Sequence, residues 1–297
     1  MPHVALATLC LNEMQWLPSL YEQHKDWPGL TTWVFVESAD RKYAEANPSA
    51  VSRSGLSTDG TSEFLRDLSR RDDRVQYVPA GFSAHDDPAQ GKIESRNRYL
   101  QFLDECPLSP QFVFVLDADE FYAKVDQERI MARLGEARSK WTGFLFPQRQ
   151  VWYPPSLQHG EAHVDPFSFE VVGGFWSIPH CRGWRYVHGM RYSKNHNTPS
   201  VGLKSLDEQM IRYDLKAPDE PATIHLGWTA ALKDRAAKNR YYERRGESVD
   251  RKRKWYTESR AAWETWKPGE VLPAGARVVP YSGPIPEVFQ SSLRRPK

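Results

Sequence analysis

The chain contains few cysteines and no long run of apolar residues. The three cysteines among its 297 residues, Cys10, Cys106 and Cys181, are far apart and odd in number. This pattern argues against a disulfide framework and against a zinc cluster, and it is typical of proteins in a reducing cytoplasm. No stretch approaches the roughly 20 apolar residues that a membrane-spanning helix requires, and the N-terminus lacks the pattern of a signal peptide. We therefore expect a soluble cytoplasmic protein, in the host cytoplasm if the chain is viral.

A glycine-rich turn and a strong charge imbalance are also missing. Val4 to Leu11 predicts a first strand that runs directly into Asn12-Glu13. Nicotinamide-binding Rossmann domains have glycines at this point, so that class of enzyme is set aside. The 40 basic and 38 acidic residues give a net charge of +2, which indicates no particular partner for the chain as a whole.

One apolar stretch ends in a cluster of acids. Phe112 to Leu116 predicts a strand buried on both faces of a parallel sheet, and Asp117-Ala118-Asp119-Glu120 follows it directly. Ligands bind at the carboxyl ends of strands in open α/β sheets. Because Asp117 and Asp119 are two residues apart, an extended backbone directs both to the same side. Two such carboxylates suit a hard divalent cation that could hold a diphosphate, whereas the alternative is a solvated turn.

The first half of the chain alternates apolar runs with helical patterns, which predicts a doubly wound, mostly parallel α/β sheet. The predicted strands span residues 4–11, 31–38, 74–78, 112–116 and 142–146. One predicted helix begins near Asn12-Glu13. Three further predicted helices cover residues 62–68, 92–103 and 127–138.

The second half is rich in proline, glycine and aromatic residues from Gln148 onward. This composition predicts an irregular, antiparallel half that covers a site, with one apolar strand at 223–228. We therefore expect residues 1–147 to bind a donor and residues 148–229 to form the acceptor half of the same domain. Residues 230–297 are expected to form a helical basic segment and a tail.

Four short segments follow one another in a distinctive order. They are Leu9-Cys10-Leu11-Asn12-Glu13, Gly91-Lys92-Ile93-Glu94-Ser95-Arg96-Asn97-Arg98, Asp117-Ala118-Asp119-Glu120 and His225-Leu226-Gly227-Trp228. This order resembles the GT-A fold of glycosyltransferases, and most closely the family 2-like nucleotide-sugar transferases. The resemblance implies a hexosyltransferase-type enzyme that uses a nucleotide sugar, a UDP-sugar first of all, with Mn²⁺ or Mg²⁺.

The resemblance also implies roles at the metal. Asp119 would be the principal ligand in a DxD motif, Asp117 would bind the metal or the ribose, and His225 would add a nitrogen ligand or a phosphate contact. A histidine in an apolar strand can otherwise be a core residue with satisfied hydrogen bonds.

Donor binding would involve the ends of the first two strands and the helix before Asp117. The candidates are Asn12, Glu13, Glu37, Asp40, Lys92 and Arg96, with Asp117 itself. Asn12-Glu13 could instead cap a helix, Glu37 could lie at an exposed strand end, and Arg96 could lie on a helix surface.

An inverting transferase also requires a base that takes a proton from the acceptor hydroxyl. Similar enzymes often carry an acid in a Trp-containing segment, but the comparable residues 183–189 contain none. The candidates for the base are His188, Asp207 and Glu208, and a retaining mechanism stays open if none of them serves.

Residues 233–267 form a basic and aromatic segment. They include twelve Lys or Arg against six acids, interleaved with Trp255, Trp263, Trp266, Tyr241, Tyr242 and Tyr256. This composition suits nucleic acid, so the acceptor could be a 5-hydroxymethylpyrimidine base in DNA, as for phage-type transferases that modify DNA bases. The alternatives are a saccharide or cell-surface glycan acceptor, with the segment as a solvated helix that packs on the sheet.

Two other classes remain as alternatives. A phosphohydrolase of the haloacid dehalogenase type carries Asp-x-Asp near its N-terminus, whereas three β-α units precede it here. A nucleic-acid-binding module without catalysis would not account for acids at the ends of strands one, two and four.

Overall fold

The computed structural model describes residues 1–137, 140, 142–152, 167, 169–172, 180–193, 196–202, 204–205, 209–212, 220–228 and 277–293. Its strands, β1 to β14 in chain order, are Val4–Cys10, Leu30–Ala39, Val75–Phe82, Phe112–Val115, Glu120–Phe121, Thr142–Phe146, Gln148–Trp152, Phe169–Val172, His180–Arg185, Ser200–Val201, Lys204–Ser205, Gln209–Arg212, Thr223–Trp228 and Arg277–Pro280. Its α-helices, α1 to α6 in chain order, are Leu17–His24, Arg41–Ala46, Thr61–Arg71, Pro88–Glu105, Lys124–Arg133 and Glu287–Leu293.

A seven-stranded sheet forms the centre of the fold, in the order β12-β6-β9-β4-β1-β2-β3. Neighbouring pairs are parallel except that β9 lies antiparallel between β4 and β6, so six strands share one direction. The α/β class and the mostly parallel sheet predicted from the sequence are confirmed.

The first strand shows why the central strands are unbroken apolar runs. Val4 and Leu6 point to one face and pack in a cluster with residues of α1 and α3. Ala5 and Ala7 point to the other face and pack with residues of α4. Burial on both faces removes the polar positions that a half-exposed strand would alternate with.

Helix α4 illustrates how local sequence sets the helix starts. Asp87 precedes it and accepts a hydrogen bond from the backbone nitrogen of Ala89, and Pro88 occupies its first turn. Both features favour a helix start, because proline needs no donor there and the aspartate satisfies an otherwise unpaired N–H. The helix therefore begins four residues before the predicted start at Lys92.

A second sheet follows the order β14-β8-β7-β13-β5. β13 lies between β7, which is parallel to it, and β5, which is antiparallel. His225 on β13 is the register partner of Glu120 on one side and of Gln150 on the other. This sheet brings the late histidine next to the acids that follow β4.

Strand β9 was not predicted, because the proline- and glycine-rich composition from Gln148 onward indicated an irregular half. The structure places Gly183 inside the strand, opposite Phe114 of β4. A Cβ at this position would lie within 2.3 Å of the Phe114 ring, so the ring occupies the space that a side chain would need. Strands β9 and β12 therefore extend the sheet of the first half with residues from the second half.

The C-terminal residues 277–293 pack back onto the domain. β14 pairs with β8, and Glu287 at the start of α6 accepts a hydrogen bond from Gln23 Nε2 at 2.6 Å. Phe289 packs against Phe121, with ring centroids 5.1 Å apart. Among the helices that the structure describes, none combines the length and the apolar character needed to cross a bilayer.

His24 joins α1 to the segment after β5. Its Nδ1 donates to the carbonyl of Leu20 at 2.8 Å, and its Nε2 accepts from the backbone nitrogen of Tyr122 at 3.0 Å. Burial lowers the pKa of His24 from 6.5 to about 4, so the folded protein holds this imidazole neutral.

This depressed pKa predicts a loss of stability in mild acid. The unfolded chain binds a proton at His24 below about pH 6.5 and the folded chain does not, so stability falls as the pH drops from 6.5 towards 4. The contribution amounts to about 1.4 kcal/mol per pH unit. When the free energy of unfolding is measured by urea titration at several pH values, we expect His24→Gln to lose this part of its pH dependence. Leu65→Ala, which removes a buried side chain and no titratable group, should lower stability and keep the slope; an unchanged slope in His24→Gln would contradict the prediction.

Candidate active site

The acids after β4 form a tight turn at the carboxyl edge of the seven-stranded sheet. The backbone nitrogen of Leu116 bonds the carbonyl of Ala7, and the backbone nitrogen of Glu120 bonds the carbonyl of Asp117. The carbonyl of Asp119 in turn accepts from the nitrogen of Leu226 at 2.8 Å. Backbone contacts to both sheets therefore hold this turn in place.

Arg182 of β9 lies between two of these acids. Its Nη2 donates to Asp117 Oδ2 at 3.0 Å and to Glu120 Oε1. Burial by itself would raise the pKa of Asp117, but the charges of Arg182, Lys92 and Arg96 hold it well below its usual range. Asp117 is therefore a carboxylate at any physiological pH.

Glu120 is fully buried and accepts hydrogen bonds at both oxygens. Oε1 faces Arg182 and the amide nitrogen of Gln148 at 2.7 Å, and Oε2 faces the backbone nitrogen of Asp117 at 3.2 Å. Burial raises its pKa, and the Arg182 charge opposes that effect. This side chain supports the turn and does not reach solvent.

Two further cations lie on α4. Arg96 is 1% exposed, its Nη2 is 4.0 Å from Asp117 Oδ1, and its guanidinium lies over the Tyr192 ring at 5.5 Å. Within the described chain, its Nε and Nη1 have no hydrogen-bond partner. Lys92, one turn earlier, is close enough for its charge to act on Asp117. A buried guanidinium with unmet donors is well suited to an anionic ligand.

Asp119 and His225 form a second pair at this turn. Asp119 Oδ2 is 3.3 Å from His225 Nε2, and both side chains are partly exposed. The other ring nitrogen of His225, Nδ1, is 2.6 Å from Gln150 Oε1. The pair is therefore partly open to solvent, and the hydrogen bond to Gln150 orients the His225 ring.

The predicted metal ligands do not form one three-residue cluster. Throughout the described ranges, no group of three or more His, Cys, Asp or Glu side chains is arranged to hold a metal ion. Asp117 is held by Arg182, whereas Asp119 and His225 place an oxygen and a nitrogen at the spacing of adjacent ligands. A magnesium or manganese ion often takes one or two protein ligands and completes its shell with phosphate and water. Asp119 and His225 fit such a site.

The charges at this edge are close to balanced. Asp117, Asp119 and Glu120 face Lys92, Arg96 and Arg182, all within the turn or on the elements beside it. A divalent cation would add two positive charges, which a diphosphate would compensate. The site therefore suits a metal together with a phosphorylated ligand better than either one alone.

Asn12 and Glu13 lie at the carboxyl end of β1, as predicted. Asn12 has φ of 55°, and its amide bonds the carbonyl of Ala50 at 2.6 Å and the nitrogen of Thr58 at 3.0 Å. The backbone nitrogen of Glu13 bonds Thr61 Oγ1. These bonds hold the loop of residues 50–58 beside the strand end.

The predicted roles of Glu37 and Asp40 are revised. Glu37 is fully buried and accepts from the nitrogen of Ser57 at 2.6 Å, from Ser62 Oγ and from Tyr77 Oη, so its carboxylate is used inside the protein. Asp40 caps α2 by accepting from the backbone nitrogens that follow it. Both residues shape the strand end, and neither carboxylate is directed to a ligand by these bonds.

The predicted role of His188 as the base is also revised. It follows β9 at the edge where β4 begins, because Arg185 pairs with Phe112. There its Nδ1 lies 3.1 Å from Asp104, and its side chain is 78% exposed. This edge is opposite to the one that carries Asp117, so His188 does not adjoin the candidate site. Asp207, Glu208 and the segment 233–267 lie outside the described residues.

Sequence reasoning missed Arg182, Gln148, Gln150 and His180. His180 begins β9 and lies close enough to Arg182, Asp117 and His225 for their charges to act on it. A sequence signal existed for Arg182, since buried acids after an apolar strand require a cation from elsewhere in the chain. Nothing in the sequence showed which of the 40 basic residues would supply it.

Comparison with known proteins adds only structural similarities. No protein-family model matches the chain. No curated protein matches it either. Among solved structures, residues 1–349 of S. aureus TarS in complex with UDP-GlcNAc are 12% identical, with a TM-score of 0.41 over 86% of this chain and 76% of that one.

Two further structures match over about half of the chain. The longer S. aureus TarS is 12% identical over 55% of this chain, with a TM-score of 0.30, and the match spans 23% of the TarS chain. The mannosyltransferase PcManGT from Pyrobaculum calidifontis, in complex with GDP-Man and Mn²⁺, is 18% identical over 52% of this chain and 36% of that one, with a TM-score of 0.31. At these values the similarities assign no role to any residue of the site.

The Arg182 contacts predict a strong effect of its removal. In Arg182→Met, Asp117 and Glu120 lose a buried counter-charge, so we expect a decrease of about 3–5 kcal/mol in the free energy of unfolding. Urea denaturation measures this decrease. Arg71→Met is the matched control, because the Arg71–Asp67 pair is exposed and should contribute less than about 1 kcal/mol. Equal effects of the two substitutions would contradict the assignment.

Proposed function

We propose that the protein is a metal-dependent glycosyltransferase that moves a sugar from a nucleotide-sugar donor to an acceptor hydroxyl. The observation that carries this proposal is the pair Asp119–His225 beside the cations Lys92, Arg96 and Arg182 at the carboxyl edge of β4. Acid and imidazole ligands next to several cations suit a metal-bound diphosphate. The order of the sequence motifs, which resembles that of GT-A transferases, agrees with this assignment.

The chemistry requires stabilisation of a leaving diphosphate. As the glycosidic bond forms, negative charge develops on the departing nucleoside diphosphate, and groups that bind this charge lower the barrier. A divalent cation on Asp119 and His225 would supply part of that stabilisation as a Lewis acid. Arg96 and Lys92 lie on the α4 side of the same turn and would bind the phosphates directly.

In this proposal the nucleoside binds at the carboxyl end of β1. Asn12 and Glu13 follow β1, which pairs with both β4 and β2, so they lie beside the acidic turn. In the proposal Glu37 and Asp40 act indirectly, through the loop of residues 50–58 and the start of α2. UDP- and GDP-sugars are the donors to examine first, because the structurally similar proteins were solved with UDP-GlcNAc and GDP-Man.

An inverting mechanism needs one base near the reacting sugar. Asp207 and Glu208 stay candidates from the sequence, and His180 replaces His188 because it lies on the correct edge. A base on β9 would come from residues 148–229, the half that is expected to bind the acceptor.

For the acceptor, the composition of residues 233–267 suits nucleic acid, and the hydroxyl that a sugar transfer requires makes DNA carrying 5-hydroxymethylpyrimidines the first candidate. The C5 substituent lies in the major groove, so it can be reached without full extrusion of the base. A saccharide or cell-surface glycan is the second candidate acceptor.

Asp119 provides the direct test of donor and metal binding. We expect Mn²⁺ with UDP-GlcNAc or GDP-Man to raise the melting temperature of the native protein, because a ligand that binds only the folded state adds about 2.7 kcal/mol at one hundred times its dissociation constant. Asp119→Asn should retain the ligand-free melting temperature and lose the joint shift. Asp67→Asn, at an exposed helix position, is the control and should keep the joint shift in melting temperature. A full joint shift in Asp119→Asn would refute the metal site.

The acceptor is tested by transfer assays on three substrates. We expect radiolabelled sugar to be transferred to hydroxymethylated DNA, with little transfer to unmodified DNA or to a saccharide panel. Reversing the charges at Arg251, Lys252, Arg253 and Lys254 should weaken DNA binding, with a smaller salt dependence of the residual affinity. Transfer to saccharides that is unaffected by charge reversal would assign the acceptor to the saccharide class.

A further inference from the structure

Two buried glutamines connect the acidic turn to the late histidine. Gln148 and Gln150 lie two apart on β7, so their side chains share one face of the strand. Gln148 Nε2 is 2.7 Å from Glu120 Oε1, Gln150 Nε2 bonds Gln148 Oε1, and Gln150 Oε1 is 2.6 Å from His225 Nδ1. Both glutamines are at most 5% exposed, so water does not substitute for these bonds.

The direction of every bond in this chain follows from its first member. Arg182 and the backbone nitrogen of Asp117 can only donate, so the carboxylate of Glu120 accepts from both. Gln148 therefore presents its amide nitrogen to Glu120 and its oxygen to Gln150. Gln150 then presents its nitrogen to Gln148 and its oxygen to His225.

The orientation of Gln150 determines the tautomer of His225. An amide oxygen can only accept, so Nδ1 of His225 must carry a hydrogen and donate it. In the neutral imidazole, Nε2 is then the nitrogen with the free lone pair. This nitrogen lies 3.3 Å from Asp119 Oδ2, which also offers lone pairs.

Two acceptor atoms at this distance form one side of a cation site. Ligand atoms that bind one octahedral ion at about 2.1 Å and at right angles lie about 3.0 Å apart. The observed separation is close to this value, so Asp119 and His225 could bind the same ion with little movement. Histidine ligands commonly have their second nitrogen fixed by such an outer hydrogen bond.

We propose that Gln148 and Gln150 are positioning residues that hold His225 in the Nδ1–H tautomer, so that Nε2 and Asp119 together bind the divalent cation. The inference rests on the proposed function for the identity of the ligand, a divalent cation. It adds a second layer to the site, in which Glu120 orients the histidine through two amides and also accepts the hydrogen bond of Arg182.

The tautomer itself can be measured without metal. Long-range ¹H–¹⁵N spectra of the native protein at pH 8 should show a protonated Nδ1 and an unprotonated Nε2 for His225, identified by its loss in His225→Asn. Gln150→Leu should convert this signal to a mixture of tautomers. A native spectrum with a hydrogen on Nε2 would overturn the proposal, whatever the ligand of the site is.

Metal affinity gives the second readout. Mn²⁺ binding to the full chain, followed by electron paramagnetic resonance of the free ion, should weaken about 10- to 100-fold in Gln150→Leu, the range seen for outer contacts of metal ligands. Gln150→Glu keeps an acceptor for Nδ1 and should bind Mn²⁺ more tightly than Gln150→Leu. Gln148→Leu is one hydrogen bond farther from the histidine and should show a smaller loss of Mn²⁺ affinity. This variant replaces Gln150→Leu in the test if substitution at position 150 prevents folding.

Gln127→Leu is the matched control. Gln127 is a buried glutamine that donates to the carbonyls of Gln23 and Tyr122 and has no bond to His225. Its substitution should lower the melting temperature and leave Mn²⁺ affinity and the His225 spectrum unchanged. If the native protein binds Mn²⁺ and Gln150→Leu binds it equally well, the positioning role fails; if the native protein binds no Mn²⁺, the proposed metal dependence fails instead.

Discussion

The ion pairs of Arg182 with Asp117 and Glu120 are the interaction on which the rest of the site depends. The partly exposed Asp117 and the buried Glu120 would repel each other in one turn, and a carboxylate is costly to remove from water without a counter-charge. Arg182 supplies that charge from β9, a strand that lies antiparallel between two parallel neighbours. The close contact of Gly183 with Phe114 lets β9 lie against β4, so that the arginine reaches the carboxyl edge.

The three acids of the turn therefore have different partners. Asp117 and Glu120 are engaged by Arg182, whereas Asp119 lies beside His225. The second sheet then sets what Asp119 meets, because β13 pairs with β5 and places His225 beside the turn. The C-terminal residues support the same turn from behind, through Phe289 on Phe121.

Much of the first half followed from local sequence. The apolar runs at Val4 and Phe112 could only be buried strands, and their polar ends had to meet at one edge once the strands were parallel. The predictions for Glu37 and His188 show the limits of this reasoning. A strand-end acid can face a ligand or accept bonds from a loop, and the choice depends on Ser57, Ser62 and Tyr77, which lie 20 to 40 residues away. His188 was assigned by its neighbours in sequence, whereas the direction of β9 decides the edge at which it lies.

Local sequence was enough to establish the acidic strand end from Phe112 to Glu120, the α/β order of the first half and the presence of a histidine in a late apolar strand. These features depend on hydrophobic pattern and residue type, which are local. The pairing of distant strands was needed to establish which cation balances the acids, which acid lies beside the histidine and which nitrogen of His225 is directed at Asp119. Each of these depends on pairing between strands distant in the chain, and strand register is set by packing of the whole core.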